Sequence, residues 1–474
     1  MKNIFATGET QDIPAVLANK DHRAAVQRKL VADYPEMTVV AAKLNIPGPI
    51  KNNQAITRFF VAELQKLEED WLAAGVLFYQ KGQWLTAGTG PERFYLVKAP
   101  ATVVKGQTTE FEESTPSRRL FDLDVLVKED GQVRPLSRAD SGQPARRCFV
   151  CGRPAKDCGR SRRHSVTELQ AAVNKLIIDA LAVEQRSVVS DRLVQLAQQS
   201  LLYEMMAWPK PGLVDPVEHG AHPDMDAFTF VNSSLSLHRY LKQATGLGLQ
   251  VSQADYPLMF AELREFGKVA EQEMFTATKG VNTHKGAVFS LGILVMAVAD
   301  SWRRLGQVSL TDIQKVVQQM LVDLVKDDMG RLPAKDKQTA GEKQYRGYGL
   351  TGIRGEAQAG YPTVFNYGLP TMATSKGNWN TRIIQTFLAL ARHTEDSTLI
   401  KRAGDPAILK WKDEQINRCL AAGGITTPAG RAVLNDLEQE FSKRHLSLGG
   451  TADLVIVTVF LTLVKEELGN GLSD

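Results

Sequence analysis

The sequence predicts a multidomain protein: an N-terminal α+β domain, a mixed sheet with helices, over residues 1–183, then an all-α domain over residues 190–474. Three observations predict it. Up to about residue 127, short β-branched and apolar runs broken by Pro and Gly alternate with a few amphipathic helices. Beyond residue 190, one helical period follows another with no convincing series of strands. A chain of 474 residues, 43% of them hydrophobic, has the length of about two to three domains and enough apolar material for each core.

The elements follow in order. Residues 1–35 read as a polar helix. Met37–Ile46 is a strand, stopped by Pro47-Gly48-Pro49. Gln54–Ala74 is an amphipathic helix with Phe59, Phe60, Leu64 and Leu67 at helical spacing. Short strands are expected at Val76–Gln80, Phe94–Val104 and Leu120–Val127, the last turning at Glu129-Asp130-Gly131. Leu169–Val183 is a helix, and Glu184–Ser190 is the seam, short or itself helical. Ser190 is expected to cap a helix whose apolar face is Leu193, Leu196, Ala197 and Leu201. Ser309-x-x-Asp312 reads as a capping box ahead of Ile313, Val316, Val317 and Met320. Asp453–Leu463 is apolar on all sides and so buried.

Composition narrows the function. The net charge of +4 is too small to argue for nucleic acid. The longest apolar runs, Gly286–Ala299 and Leu454–Val464, fall short of the roughly 18 residues of a membrane span. No long apolar region follows Met1–Phe5, so no signal peptide is expected. Three of the four cysteines cluster, which fits a cytoplasmic protein with a metal cluster better than a disulfide scaffold.

The polar stretch Thr278–Gly286 carries the strongest chemical signal. It runs into the apolar Ala287–Ala299, so its backbone N–H groups stand at the positive end of a buried helix. Gly280 and Gly286 allow close approach, Asn282 and Thr283 add polar groups, and Lys279 and Lys285 add positive charge. The ligand this predicts is a polyphosphate, with His284 able to move a proton near neutral pH. The bland alternative is an ordinary Asn/Thr-capped helix with solvated lysines. Elsewhere, Asp122 and Asp124 share one face of a strand, the arrangement that Mg²⁺ holding a triphosphate needs, with Arg118 and Arg119 beside them. An isolated D-x-D is otherwise a solvated strand face. Cys148-x2-Cys151-x6-Cys158-x5-His164 could complete a tetrahedral Zn²⁺ site within a strongly basic run, or be reduced structural cysteines. Lys210 and Asp215 lie in a rigid Pro-Gly loop. His222-x-Asp224-x-Asp226 offers metal ligands or a general base, or else an acidic first helical turn. Arg346 and Arg354 stand in a Gly-rich stretch suited to a phosphorylated ligand, or to a solvated connector. Gly449-Gly450-Thr451-Ala452-Asp453 resembles an anion site or a metal carboxylate at a helix start.

Two family resemblances build on these residues. LNIPGPIKNN (44–53), RLFDLDVL (119–126) and RRCFVCGRPAKDCGRSRRHS (146–165) resemble the apo-citrate lyase phosphoribosyl-dephospho-CoA transferases. SLLYEMMAWPKPGLVD (200–215), GAHPDMDAFTF (220–230), MFTATKGVNTHKGAVFSLG (274–292), TAGEKQYRGYGLTGIRGEAQAG (339–360) and SLGGTADL (447–454) resemble the triphosphoribosyl-dephospho-CoA synthases. The chain departs from the second pattern at Asp396–Thr398, Arg402–Gly404 and Leu448.

The resemblance implies a bifunctional transferase. Its C-terminal half would join ATP to 3′-dephospho-CoA with loss of adenine. The CoA ribose 2′-hydroxyl attacks C1′ of the ATP ribose through a cation-like sugar transition state. The 279–286 loop, Lys210 and Mg²⁺ on some of Asp215, Asp224, Asp226 and Asp453 would grip the triphosphate, with His284 or one of those carboxylates as base. The N-terminal half would then pass phosphoribosyl-dephospho-CoA to a serine of the citrate lyase acyl carrier (gamma) subunit, releasing pyrophosphate by nucleotidyltransferase-like chemistry at Asp122 and Asp124. Fusion would raise the effective concentration of the intermediate. Two other classes compete: a hydrolase of nucleotide-linked ribose, and a zinc-knuckle RNA-binding module. Against the second, the basic run has Phe149 as its only aromatic residue for base stacking.

Overall fold

The computed structural model describes residues 3–142, 144–250, 255–330 and 338–469. The chain divides into two compact units, Met1–Gln185 and Arg186–Asp474. The division falls within one continuous helix, so the expected cap at Ser190 is not a helix start. Ser190 lies in the helix interior, with its hydroxyl 2.6 Å from Thr245 Oγ1.

The first unit contains a five-stranded, wholly antiparallel sheet in the order β2-β3-β1-β4-β5. Its elements are α1 (Ile13–Asp33), β1 (Thr38–Leu44), α2 (Gln54–Ala73), β2 (Phe78–Trp84), β3 (Glu92–Val97), α3 (Ala101–Ser114), β4 (Phe121–Glu129) and β5 (Gln132–Pro135). Two short helical segments follow, α4 (Ala155–Arg160) and the start of α5 (Val166–Met206). The apolar stripe of α2 (Phe59, Phe60, Leu64, Leu67) packs with Val40, Tyr95, Leu123 and Val125 on one face of the sheet, and Val173 and Ile177 of α5 join them. On the other face Leu30, Val31 and Tyr34, at the C-terminal end of α1, cover Val39, Leu96 and Leu126. The expected strand Phe94–Val104 ends at Val97. Its second part is α3, which opens beyond Pro100, because proline supplies the bend but no N–H for a ladder.

In the second unit α5 continues. It is followed by α6 (Ala227–Ser236), α7 (His238–Gly248), α8 (Tyr256–Ala277), α9 (Lys285–Leu305), α10 (Leu310–Met320), α11 (Leu324–Met329), α12 (Ala340–Tyr348) and α13 (Gly352–Gln358). Then come α14 (Leu369–Thr374), α15 (Trp379–His393), α16 (Ser397–Ala403), α17 (Ile408–Ala421), α18 (Pro428–Lys443) and α19 (Gly449–Leu468). The helix α9 is the axis: α7, α8, α10 and α19 all pack against it. It is long and apolar enough to cross a membrane, but 83% of its most apolar window lies buried inside the fold. The second core helix, α19, is buried from Leu454 through Val464. Ser309 caps α10 by accepting from Asp312 N, while the Asp312 carboxylate turns to Arg304 instead of closing a reciprocal box.

Leu294→Ala should remove a fully buried side chain from the middle of α9 and lower the stability of the second unit by about 2–5 kcal/mol. An unchanged urea midpoint for the helical transition would mean that α9 is not central to this core.

Candidate functional sites

In the first unit the candidate residues lie on the α1-facing side of the sheet. The period of β4 turns Phe121, Leu123 and Val125 into the core and leaves Asp122 and Asp124 half-buried together on the opposite face. Antiparallel pairing sets Lys43 of β1 directly opposite Asp122. Its ammonium bridges both carboxylates, at 2.5 Å from Asp122 and 2.9 Å from Asp124. The two aspartates therefore converge on one cation-sized point. Burial alone would push the Asp122 carboxyl up, but Lys43, with Arg146 and Lys105 farther out, outweighs it and holds the group below its ordinary range. Arg146 reaches Asp122 at 3.7 Å and pairs with Glu112 at 2.7 Å. Neither arginine beside the D-x-D is engaged with it. Arg118 pairs with Glu63 at 2.7 Å and lies over the Phe111 ring, while Arg119 donates to the Arg147 carbonyl. Lys43, missed in sequence, sits in an apolar run and becomes legible only from strand pairing. A cleft of about 790 Å³ reaches Lys43, though neither aspartate lines it; Lys20, Arg23, Lys51, Arg162, Cys148, Cys158 and His164 do.

In the second unit a cavity of about 350 Å³ opens at the N-terminal ends of α9 and α19. Asn282, Thr283, His284, Lys285, Gly286, Asp224 and Asp453 line it. Thr278 turns the chain out of α8, its hydroxyl donating to Val281 O at 2.6 Å, and His284 is the residue before α9. Thr283 Oγ1 donates to Ser233 Oγ at 2.7 Å, which leaves the Ser233 hydroxyl to donate to His284 Nδ1 at 2.7 Å. The imidazole proton is thereby placed on Nε2, which is buried and has no hydrogen-bond partner. Burial, reinforced by the Lys210 charge, lowers the His284 pKa to about 3, so the ring stays neutral at ordinary pH. Gly286 is required by contact: a Cβ there would stand 1.8 Å from Asp453 Oδ2. Burial drives the Asp453 carboxyl well above its ordinary range, and the Asp396 and Glu204 charges push the same way.

The remaining sequence-stretch candidates lie elsewhere or are engaged. Lys210 is fully buried and bonded to Glu204, at 2.6 Å to the carboxylate and 2.5 Å to the carbonyl. Asp215 accepts from the N–H groups of Val217 and Glu218, each at 2.8 Å, and faces Glu438. Asp226 caps α6 in a capping box with Thr229. Lys279 and Gly280 form a left-handed turn outside the cavity lining. Arg346 is exposed on α12, and Arg354 pairs with Asp328 at 2.7 Å in a second cleft of about 540 Å³. The backbone N–H of Thr451, at the start of α19, is taken by Asp396 at 2.7 Å, so that helix end is already occupied by a carboxylate. The cavity also gains Lys401 and Arg402, cations that no local motif announced, while His222, a candidate read from the sequence, is engaged through both ring nitrogens. Arg402 donates to His222 Nδ1 at 3.1 Å, which leaves Nε2 to donate to Ser447 Oγ at 3.0 Å. Lys401 and Arg402 supply the wall with cations.

The cysteine cluster is brought together. One ligand atom from each of Cys148, Cys151, Cys158 and His164 lies within 4.8 Å of every other.

Two family models match the chain. The model described as ATP:dephospho-CoA triphosphoribosyl transferase matches residues 190–471, and that described as apo-citrate lyase phosphoribosyl-dephospho-CoA transferase matches residues 11–180. Protein CitXG of Leuconostoc mesenteroides subsp. cremoris is 40% identical over 96% of this chain and 98% of its own length. Protein CitXG of Haemophilus influenzae is 30% identical over 97% and 98%. A probable 2-(5″-triphosphoribosyl)-3′-dephosphocoenzyme-A synthase of Lactiplantibacillus plantarum is 46% identical over 58% of this chain and 98% of its own.

Burial, with Asp215 and Glu218 nearby, raises the Glu438 pKa from 4.5 to about 7. Unfolding therefore releases a proton between those values, and stability should fall as pH rises through that window. Glu438→Gln should flatten this part of the stability profile relative to the parent. Parallel profiles for the two proteins would show that Glu438 titrates normally.

Proposed function

The chain belongs to the CitXG family, which fuses triphosphoribosyl-dephospho-CoA synthase with apo-citrate lyase phosphoribosyl-dephospho-CoA transferase, and on that premise we propose how its two halves divide the work. The second unit condenses ATP with 3′-dephospho-CoA, releasing adenine. The first transfers phosphoribosyl-dephospho-CoA to a serine of the citrate lyase acyl carrier subunit, releasing pyrophosphate.

The observation that carries the synthase reading is the meeting of unlike groups around the N-terminus of α9. The N-terminal end of α9, which no side chain caps, suits a triphosphate together with Lys401, Arg402 and Lys285, an exposed side chain that pairs with Glu271 at 2.8 Å. Asp224 would hold Mg²⁺ there, which neutralises phosphate charge when bound. The neutral His284 offers its Nε2–H as a fixed donor to a phosphate oxygen or to the departing adenine. A base must take the 2′-hydroxyl proton. Asp453 suits this best: it lines the cavity against Gly286, whereas Asp226 lies outside the lining as the cap of α6 and His284 is shifted toward weaker basicity. The second cleft adjoins the first through Lys285 and Gly286. Its apolar wall of Phe260, Phe289 and Ile353, with Arg264 at the rim, suits the dephospho-CoA acceptor.

The transfer reading rests on the convergence of Asp122 and Asp124. Two carboxylates that reach one ammonium can reach Mg²⁺ in its place, and Lys43 and Arg146 would then be free to meet the pyrophosphate.

Incubation with ATP, dephospho-CoA, Mg²⁺ and the apo acyl carrier should release adenine and increase the carrier mass by one prosthetic group. Asp122→Ala should leave adenine release intact and abolish loading, while His284→Ala should lower adenine release by about 10²-fold or more. Gly286→Ala should impair adenine release as well, by displacing Asp453. The opposite assignment of defects would overturn the division of labour, and free triphosphoribose formed without CoA would point to a hydrolase.

A further inference from the structure

We propose that Cys148, Cys151, Cys158 and His164 bind one structural Zn²⁺, and that this metal holds the segment that sets Arg146 beside Asp122. All three thiols are free, and two of them, Cys151 and Cys158, stand 3.4 Å apart. Tetrahedral zinc with Zn–S bonds of about 2.3 Å separates its ligands by roughly 3.8 Å, close to the spacing seen. The fourth group is suitably placed: His164 Nε2 is buried and makes no hydrogen bond. Three sulfurs and one imidazole select zinc over the oxygen-seeking Mg²⁺ and Ca²⁺.

The backbone has the shape of a metal knuckle. Gly152, at φ +73°, lets the chain reverse after Cys151, its N–H donating to Cys148 O at 2.9 Å, while Cys148 N donates to Arg153 O at 2.6 Å. The short α4 carries Cys158, and Arg163 N donates back to Cys158 O at 3.2 Å, bringing His164 round. Apolar side chains other than the cysteines add little to this segment. A bridge of strand type joins Arg147 to Pro154, Val150 is exposed, and Phe149 is only partly buried against the first core. Arg146, Arg147, Arg153, Lys156, Arg160, Arg162 and Arg163 repel one another across it. A loop with so little apolar burial and so much like charge needs a staple to keep one conformation.

The staple bears on the neighbouring site through the chain itself. Arg146 lies two residues before Cys148, bonded to Glu112 and reaching Asp122, and Arg119 anchors the Arg147 carbonyl between them. Metal binding does not depend on the function proposed above; only the expected loss of carrier loading rests on that reading.

The full-length chain purified under reducing conditions should contain about one zinc per chain by elemental mass spectrometry. Replacement by Co²⁺ should give the intense visible bands of a tetrahedral thiolate site. Cys151→Ser, at an exposed position, should lose the metal, while His164→Cys should keep it with a shifted Co²⁺ spectrum. Cys151→Ser should also lose carrier loading but keep adenine release, with the sheet of its first unit still folded by circular dichroism and by a separate urea transition. Zinc-free protein that gives no Co²⁺ bands on titration would overturn the proposal. So would a folded Cys151→Ser protein that retains full zinc and an unchanged Co²⁺ spectrum.

Discussion

The contact between the Gly286 backbone and the Asp453 carboxylate is the constraint around which the second unit is organised. The two most deeply buried helices, α9 and α19, begin at this contact, and only a residue without a side chain lets a carboxylate lie so close to the first turn of α9. Apolar faces drive the two helices together over most of their length. Their polar first turns are carried along, and so a histidine, two carboxylates and a buried ion pair collect where water is scarce. The perturbed proton affinities of Asp453 and His284 follow from that enforced burial, and each shift has its own cause in the neighbouring charges.

The first unit solves a similar problem with a sheet. Its two faces differ: one is filled by α2, α3 and α5, whereas the other carries an apolar patch at one end and charged residues at the other. Pairing of β1 with β4 places a lysine against two aspartates, so that the two carboxylates share one ammonium. The arginines next in sequence to those aspartates serve the scaffold. Arg118 ties the start of β4 to Glu63 of α2, while Arg146, distant in sequence, supplies the nearby positive charge. Adjacency along the chain is a poor guide here because a strand sends successive side chains to opposite faces, and the residues before it lie in a turn.

Much was legible in the sequence alone. The change from α+β to all-helical structure followed from period and punctuation, since the burial of apolar residues sets the repeat at two or at 3.6 whatever the final packing. The shared face of Asp122 and Asp124, the polar turn ahead of a buried helix at Lys285, and the clustering of three cysteines with His164 are local facts of spacing. Tertiary structure decided the rest. It assigned Lys210 to Glu204 and Asp396 to the start of α19, turned Phe94–Val104 into a strand and a helix, and brought Arg402 to His222 across 180 residues. Local spacing fixes which side of an element a residue occupies. Which charge meets which depends on the partner element, and that choice is made only when the cores close and burial penalises an unpaired charge.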